Sequence, residues 1–233
     1  NYENLLNLHN HINIKERKFS FIDIIRIIFF IKKNSINLIH AHGKGANLIS
    51  RIIKLFVGIP IIYTYHGIHL KCHNKLNNLI YILYENIFGF LDNHKIFVSQ
   101  SEKDYAIRSK IKIGNKYSII HNGVSNKNCK KIFLFNSDNH KVKHKIKVIS
   151  VARFVSQKNI KEILKIASIL PGIKFEILGS GPLWSEINEE IKELNLKNVH
   201  LIGLSRNVFK YLQNADIYLS TSLYEGLPIS VIE

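Results

Sequence analysis

The sequence predicts an α/β protein built as two parallel-sheet lobes. Three observations point there. Short β-rich apolar runs alternate with amphipathic helical patterns along nearly the whole chain. The alternation lapses once, after Asn122-Gly123, across a stretch rich in Lys, Asn and His with one apolar island, Ile132–Phe135. It then restarts with a second set of strand and helix signals. The expected division is a Rossmann-like lobe over 1–125, a linker over 126–145 and a second Rossmann-like lobe over 146–233, with the site in the cleft between them.

Each element has its own signal. Phe19–Lys33 reads as a helix whose apolar run is interrupted by Asp23 and Arg26. That run is shorter than the roughly 18–20 residues that span a bilayer, so a core helix is expected rather than an anchor or leader. Strand Ile36–His40, helix Gly45–Phe56 and strand Pro60–Thr64 follow. Next come a long helical stretch, Leu76–Leu91, strand Lys95–Ser99, helix Glu102–Lys110 and strand Tyr117–His121. The second lobe begins with strand Lys147–Ala152 and helix Asn159–Leu170, where Ile160, Ile163, Leu164, Ala167 and Leu170 make an i, i+3, i+4 stripe. Asn159 is placed to cap that helix, with Glu162 at the acidic position of a capping box. Strand Lys174–Leu178, helix Leu183–Leu194, strand Asn198–Ile202, helix Arg206–Asn214 and strand Asp216–Ser220 complete the series. Pro228 suits the first turn of a closing helix.

Composition narrows the class. At 233 residues, 46% of them hydrophobic and only four proline, the chain can bury full cores and is not disordered. Lys and Arg outnumber acids 33 to 17, a formal charge of +16. Nucleic acid, an anionic membrane surface or a polyanionic substrate would each answer that excess, and membrane attraction is the leading functional reading. A blander source is an A/T-rich genome, because Ile and Asn are abundant together with Lys. Cys72 and Cys129 lie far apart and form no CxxC, so a reduced, cytoplasmic setting is expected. The chain contains no methionine and stops inside an expected helix, so it reads as a piece of a longer protein.

Several constellations could carry chemistry. Glu225 and Glu233 stand eight positions apart, with Gly226 and Pro228 between them, in a strand-to-helix loop and the helix after it. Backbone N–H groups left free where such a helix begins suit phosphate oxygens. Arg153 ends a strand and Lys158 precedes a helix, so both cations could converge on one diphosphate; two solvated basic residues are the plainer reading. Gly179-Ser-Gly-Pro182 lacks the third glycine of a dinucleotide fingerprint and reads as a tight turn. His66, after strand Pro60–Thr64, could donate to a sugar hydroxyl, or could be a hydrogen-bonded structural residue. His66, His69, Cys72 and His73 match no standard zinc spacing, and His40-Ala-His42 reads as a strand-end turn. No Asp-x-Asp pair and no P-loop occur, so a bound diphosphate would be neutralised by Arg, Lys and helix dipoles.

Together these residues resemble the retaining glycosyltransferases of family four, with the GT-B fold. The matches follow the family's order: Ile39-His-Ala-His42, Thr64-Tyr-His-Gly67, Val98-Ser99, Ile120-His-Asn-Gly-Val124, Val151 to Lys158 with its Arg-x4-Lys spacing, Leu178-Gly-Ser-Gly-Pro182 and Glu225-x7-Glu233. The resemblance implies an acceptor-side first lobe and a donor-binding second lobe. Arg153 and Lys158 would hold the donor diphosphate with backbone amides near Gly226 and Leu227. Glu225 would contact the donor sugar, Glu233 the ribose, and His66 would sit beside the sugar. It further implies no metal and no cofactor beyond the nucleotide-sugar donor, a glycan or lipid-linked acceptor, and a role in cell-surface polysaccharide or lipopolysaccharide synthesis. Peripheral contact with an anionic membrane is expected, and nucleic acid is not, because the aromatics needed for base stacking are unclustered. The family's first strand with its Gly-rich loop, and its returning C-terminal segment, would lie outside these residues. The alternatives are a GT-B nucleotide-sugar epimerase and a non-catalytic basic module for anionic lipid or nucleic acid.

Overall fold

The computed structural model describes residues 20–68, 70, 75–124 and 146–233. The chain divides into two compact units, Asn1–His121 and Asn122–Glu233. The expected linker, the apolar island Ile132–Phe135, both cysteines, His69 and His73 lie outside the described residues.

In the first unit α1 (Phe21–Lys33) leads to β1 (Ile39–His42), α2 (Gly43–Val57) and β2 (Ile61–Tyr65). Then come α3 (Lys75–Phe88) with a 3-10 turn over Gly89–Leu91, β3 (His94–Phe97), α4 (Gln100–Arg108) and β4 (Tyr117–Ile119). The strands pair in the order β1-β2-β3-β4, all parallel. Strand β2 is buried at four of its five residues, as expected of a strand covered on both faces. Two boundaries differ from expectation. Strand β1 starts three residues later than the sequence suggested, so His40 and His42 are its last strand residues and not a turn. Ser99 is not in a strand: its side chain accepts from Glu102 N at 3.1 Å and caps α4.

The first unit also buries an ionic cluster that has no local sequence pattern. The Arg51 guanidinium donates to Glu85 at 2.8 Å and to both Asp92 oxygens at 2.6 and 3.0 Å. Lys95 sits 3.8 Å from Asp92 and donates to Gly89 O, and Tyr65 donates to Glu85 at 3.1 Å. Burial alone would lower the Arg51 pKa, but the carboxylates of Asp92 and Glu85 outweigh it and hold the guanidinium charged.

The second unit runs β5 (Lys147–Val151), a 3-10 turn over Ser156–Lys158, α5 (Ile160–Ile169), β6 (Lys174–Leu178) and α6 (Trp184–Glu193). It continues with β7 (Val199–Gly203), α7 (Val208–Gln213), β8 (Ile217–Tyr218) and α8 (Ile229–Ile232). Its parallel sheet has the order β7-β6-β5-β8. The chain therefore steps outward from β5 to β7, then returns to the other side of β5. That reversal makes β5/β8 a topological switch point, where loops leave in opposite directions and open a crevice. The α5 stripe packs as expected at Ile160, Ile163, Leu164 and Ala167, which join Phe154, Phe175 and Ile177 in the core. Leu170 does not; it is the C-cap residue and is exposed.

The expected cap of α5 is corrected. Asn159 holds the N-cap position but in the left-handed region (φ 48°, ψ 47°), and its side chain makes no capping bond. An extended backbone is what aims an N-cap side chain at the helix amides, and Asn159 lacks it. The Glu162 carboxylate pairs forward with Lys165 instead of completing a capping box.

Candidate active site

The site in the second unit is assembled from the loops that follow β5, β6 and β7, with the loop after β8 joined to it through Lys158. After β5, Ala152 N donates to Leu178 O at 2.9 Å, and Phe154, fully buried, packs its ring against Trp184 with centroids 4.9 Å apart and the planes tilted by 46°. Arg153 is thus held between a hydrogen-bonded residue and a core anchor, and its own side chain is left exposed. After β6, Phe154 N donates to Ser180 O at 2.9 Å. This packs the Gly179-Ser-Gly-Pro182 turn directly on the β5 loop. A Cβ at Gly179, where φ is +131°, would lie 1.9 Å from Ala152 O, and one at Gly181 would lie 2.6 Å from Phe154 O. Both glycines are required by backbone contact, a stronger demand than the tight turn read from the sequence.

Between these loops lies a cleft of about 660 Å³ at the carboxyl edge of the sheet, a volume suited to a nucleotide-sized ligand. Arg153, Lys158, Gly179, Ser180, Leu204 and Ser205 are among its lining residues. Arg153 has no carboxylate partner among the described residues, so its charge is available to a ligand. Lys158 ion-pairs with Glu225, both side chains about four-fifths covered (20% and 23% exposed). The structure therefore brings Arg153 and Lys158 to one cleft and ties Glu225 to it. Gly226 and Leu227 form the turn into α8, with Leu227 O accepting from Asn122 Nδ2 at 2.7 Å. Glu233 is exposed at the end of α8, where its N–H donates to Ile229 O, and it is not among the residues lining the cleft.

Sequence reasoning passed over the residues that clamp the Lys158 and Glu225 loops together. Thr221 donates to both Lys158 O and Asn159 O at 3.0 Å, Gln157 Nε2 donates to Tyr224 O at 2.9 Å, and Leu223 N donates to Gln157 O. Tyr218 donates to Ser230 Oγ at 2.9 Å and steadies α8 against β8. The left-handed turn at Asn159 ends the 3-10 turn and redirects the chain into α5, and Thr221 satisfies the carbonyls that this turn exposes. No motif marks Gln157 or Thr221; only the adjacency of β5 and β8 gives them their partners.

In the first unit the carboxyl ends of β1 and β2 carry a histidine cluster. The register opposes His42 to Thr64, so His66, two residues on, comes within reach. His42 Nδ1 and His66 Nε2 share a hydrogen bond of 2.9 Å, and His40 Nε2 bonds Thr64 Oγ1 at 2.8 Å. Gly67 N donates to the buried carboxylate of Glu102, which also accepts from Val98 N and so fixes the turn after His66. Partial burial first, then His42 and His40, push the His66 pKa down, and His40 is lowered by burial and His42. A lowered imidazole is neutral at neutral pH and gains its proton only below the usual range near 6.5. An NMR titration is therefore expected to show His66 with a midpoint below that range, moved upward by His42→Ala. A His66 midpoint unchanged by His42→Ala would dismiss the coupling. Among the described residues, no three His, Cys, Asp or Glu side chains gather as a metal-ligand group.

Comparison with known proteins bears on this arrangement. The family model described as Glycosyltransferase Family 4 matches residues 4–127, more than half the chain. The chain belongs to glycosyltransferase family 4. A second model, Glycosyl transferases group 1, matches residues 133–233, which include Arg153, Lys158 and Glu225. An uncharacterized glycosyltransferase of Methanocaldococcus jannaschii is 26% identical over 231 residues, covering 89% of this chain and 55% of the relative. The UDP-Gal:alpha-D-GlcNAc-diphosphoundecaprenol alpha-1,3-galactosyltransferase of Escherichia coli is 22% identical over 224 residues, covering 90% of this chain and 58% of the relative. The chain thus spans little more than half the length of these curated relatives. In fold, this chain is similar to the Anabaena HepE protein, solved with UDP and glucose, at a TM-score of 0.71 and 17% identity. That likeness covers 99% of this chain and 66% of the Anabaena chain. The architecture is the GT-B type, two parallel-sheet lobes of four described strands each.

Proposed function

We propose that this protein is a retaining, metal-independent glycosyltransferase that moves a sugar from a nucleotide-sugar donor to a glycan or lipid-linked acceptor. The setting we propose is cell-surface polysaccharide or lipopolysaccharide synthesis, on the cytoplasmic side of the membrane. One observation carries the reading: Arg153 and Lys158, from a single loop, line the same cleft at the carboxyl ends of β5, β6 and β7. Two convergent cations at a strand's carboxyl edge suit a diphosphate. The relatives support the substrate class, since the galactosyltransferase is named for a UDP-sugar donor and a diphosphoundecaprenol-linked acceptor.

On this reading the bond between the anomeric carbon and the diphosphate oxygen breaks, and its electron pair leaves with the phosphate. Arg153 and Lys158 stabilise the charge that develops there. The acceptor hydroxyl attacks from the same face and its proton passes to the departing phosphate oxygen, which preserves configuration. An ammonium has three N–H donors, so Lys158 can keep Glu225 and take a phosphate oxygen together. Glu225 then meets the sugar hydroxyls, Glu233 the ribose, and neutral His66 the sugar. Backbone amides near Gly226 and Leu227 add donors to the diphosphate.

A thermal-shift screen of the full-length protein against nucleotide sugars tests the proposal. The best donor is expected to raise Tm, with the rise abolished in Arg153→Ala and reduced in Glu225→Gln. Equal stabilisation of wild type and Arg153→Ala would remove the diphosphate role.

A further inference from the structure

We propose that Glu102 is a positioning residue for sugar transfer: its carboxylate clasps the loops after β2 and β3 together and so sets where His66 meets the substrate. The inference rests on the proposed role of His66 beside the sugar. Glu102 lies in the first turn of α4 and is buried, and among the described residues no Lys, Arg or His pairs with it. Burying a carboxylate without a cation is costly, so the group must be held for what it contacts. Helix α4 has its cap without it, because Ser99 Oγ accepts from Glu102 N at 3.1 Å. In a capping box the carboxylate reaches back only to the N–H of the cap residue. Glu102 reaches further. Its Oε2 accepts from Val98 N, one residue before the cap, at 3.1 Å, and its Oε1 accepts from Gly67 N in the neighbouring loop.

Only an ionised carboxylate accepts on both oxygens at once; an amide would offer one oxygen and turn its NH2 toward the other backbone N–H. The clasp fixes the chain on the far side of His66. Tyr65, before it, is buried in the core, and Gly67, after it, turns at φ +110° before Ile68 and Leu70 re-enter the core. His66 is the exposed residue between those anchors. Its ring is held separately. Nε2 is bonded to His42 Nδ1 at 2.9 Å, and the two rings stack with centroids 5.2 Å apart and planes 22° apart. Among the described residues no hydrogen bond takes His66 Nδ1, so that nitrogen is the one presented to a ligand. Glu102 thus governs the backbone of His66 and His42 its ring. A shift of about 1 Å in a group that meets the reacting sugar costs about 10²-fold in rate.

Kinetics and histidine NMR of the full-length protein provide the test, with UDP-glucose, UDP-galactose and UDP-N-acetylglucosamine as donors and UDP release as the assay. Glu102→Gln is expected to lower kcat about 10–100-fold while the donor KM stays within about twofold of wild type. The imidazole signals of His66 should move in Glu102→Gln. Those of His94, at the amino end of β3, should not, which separates a local shift from a general loss of structure. Ser99→Ala removes the cap of α4 and leaves the clasp, so its kcat should stay within about twofold of wild type. His66→Ala sets the floor, and Glu102→Gln/His66→Ala should be no slower than His66→Ala alone, since Glu102 acts through His66. A wild-type kcat in His66→Ala would remove the role of His66, and the positioning role with it. If His66→Ala is impaired, three results overturn the positioning role alone: unmoved His66 signals in Glu102→Gln, a further fall in the double variant, or an equal loss in Ser99→Ala.

Discussion

Replacing Arg153 with alanine is expected to lower kcat/KM for sugar transfer by about 10²–10³-fold in the full-length protein. The size follows from position. Arg153 lines the proposed diphosphate cleft, has no carboxylate partner among the described residues, and is seated by the fully buried Phe154 that follows it. No ion pair has to be broken for its charge to meet the departing phosphate, a condition that favours transition-state stabilisation. Lys158 cannot substitute, because Glu225 already neutralises much of its charge. The loss should appear in both KM and kcat, since the diphosphate is already anionic in the bound donor and gains a further charge as the glycosidic bond breaks. Arg153→Lys should recover part of it by restoring charge without the planar fork. A kcat/KM within about threefold of wild type for Arg153→Ala would show that the cation lies off the reaction path.

Asp92→Ala is expected to destabilise the first unit by about 3–5 kcal/mol, a large share of the roughly 5–15 kcal/mol that holds a domain folded. Arg51 and Asp92 have side chains only 2% and 0% exposed, and Arg51, Lys95, Glu85 and Asp92 together balance to zero net charge. Removing Asp92 leaves one positive charge in excess among buried side chains, with two of the Arg51 hydrogen bonds gone. The single tryptophan, Trp184, reports the second unit, so amide hydrogen exchange in β2 and β3 is the measurement that isolates the first. Protection there should fall about 10²-fold or more, while β5 and β6 stay as protected as in wild type. Unchanged protection in β2 and β3 would mean that water already reaches the cluster.

Local periodicity carried most of the architecture. Helix α5 was legible because Ile160, Ile163, Leu164 and Ala167 repeat on one face, and a repeated face is buried wherever the helix sits. The parallel sheets were legible for the same reason, from strands flanked by helical patterns. Arg153, Lys158, Gly179 and Glu225 stood out because each occupies a strand-to-helix loop, the place where parallel sheets expose their carboxyl edge. The capping of α5 by Asn159 was misread. An Asn before an apolar stripe looks the same whether its backbone is extended or left-handed, and Thr221, 62 residues away, bonds the carbonyl of the left-handed form.

From its residues alone this chain determined its class, the order of its strands and helices, and the loops that could bear chemistry, because those depend on near neighbours. Packing decided the rest. Lys158 meets Glu225 across 67 residues, and Arg51 meets Glu85 and Asp92 across 34 and 41. Helix α3 was readable as a helix, but which of its faces turns inward was settled by Arg51 demanding Glu85. Charge pairing and close backbone approach are contacts in space, and a linear pattern holds no distance between residues that far apart.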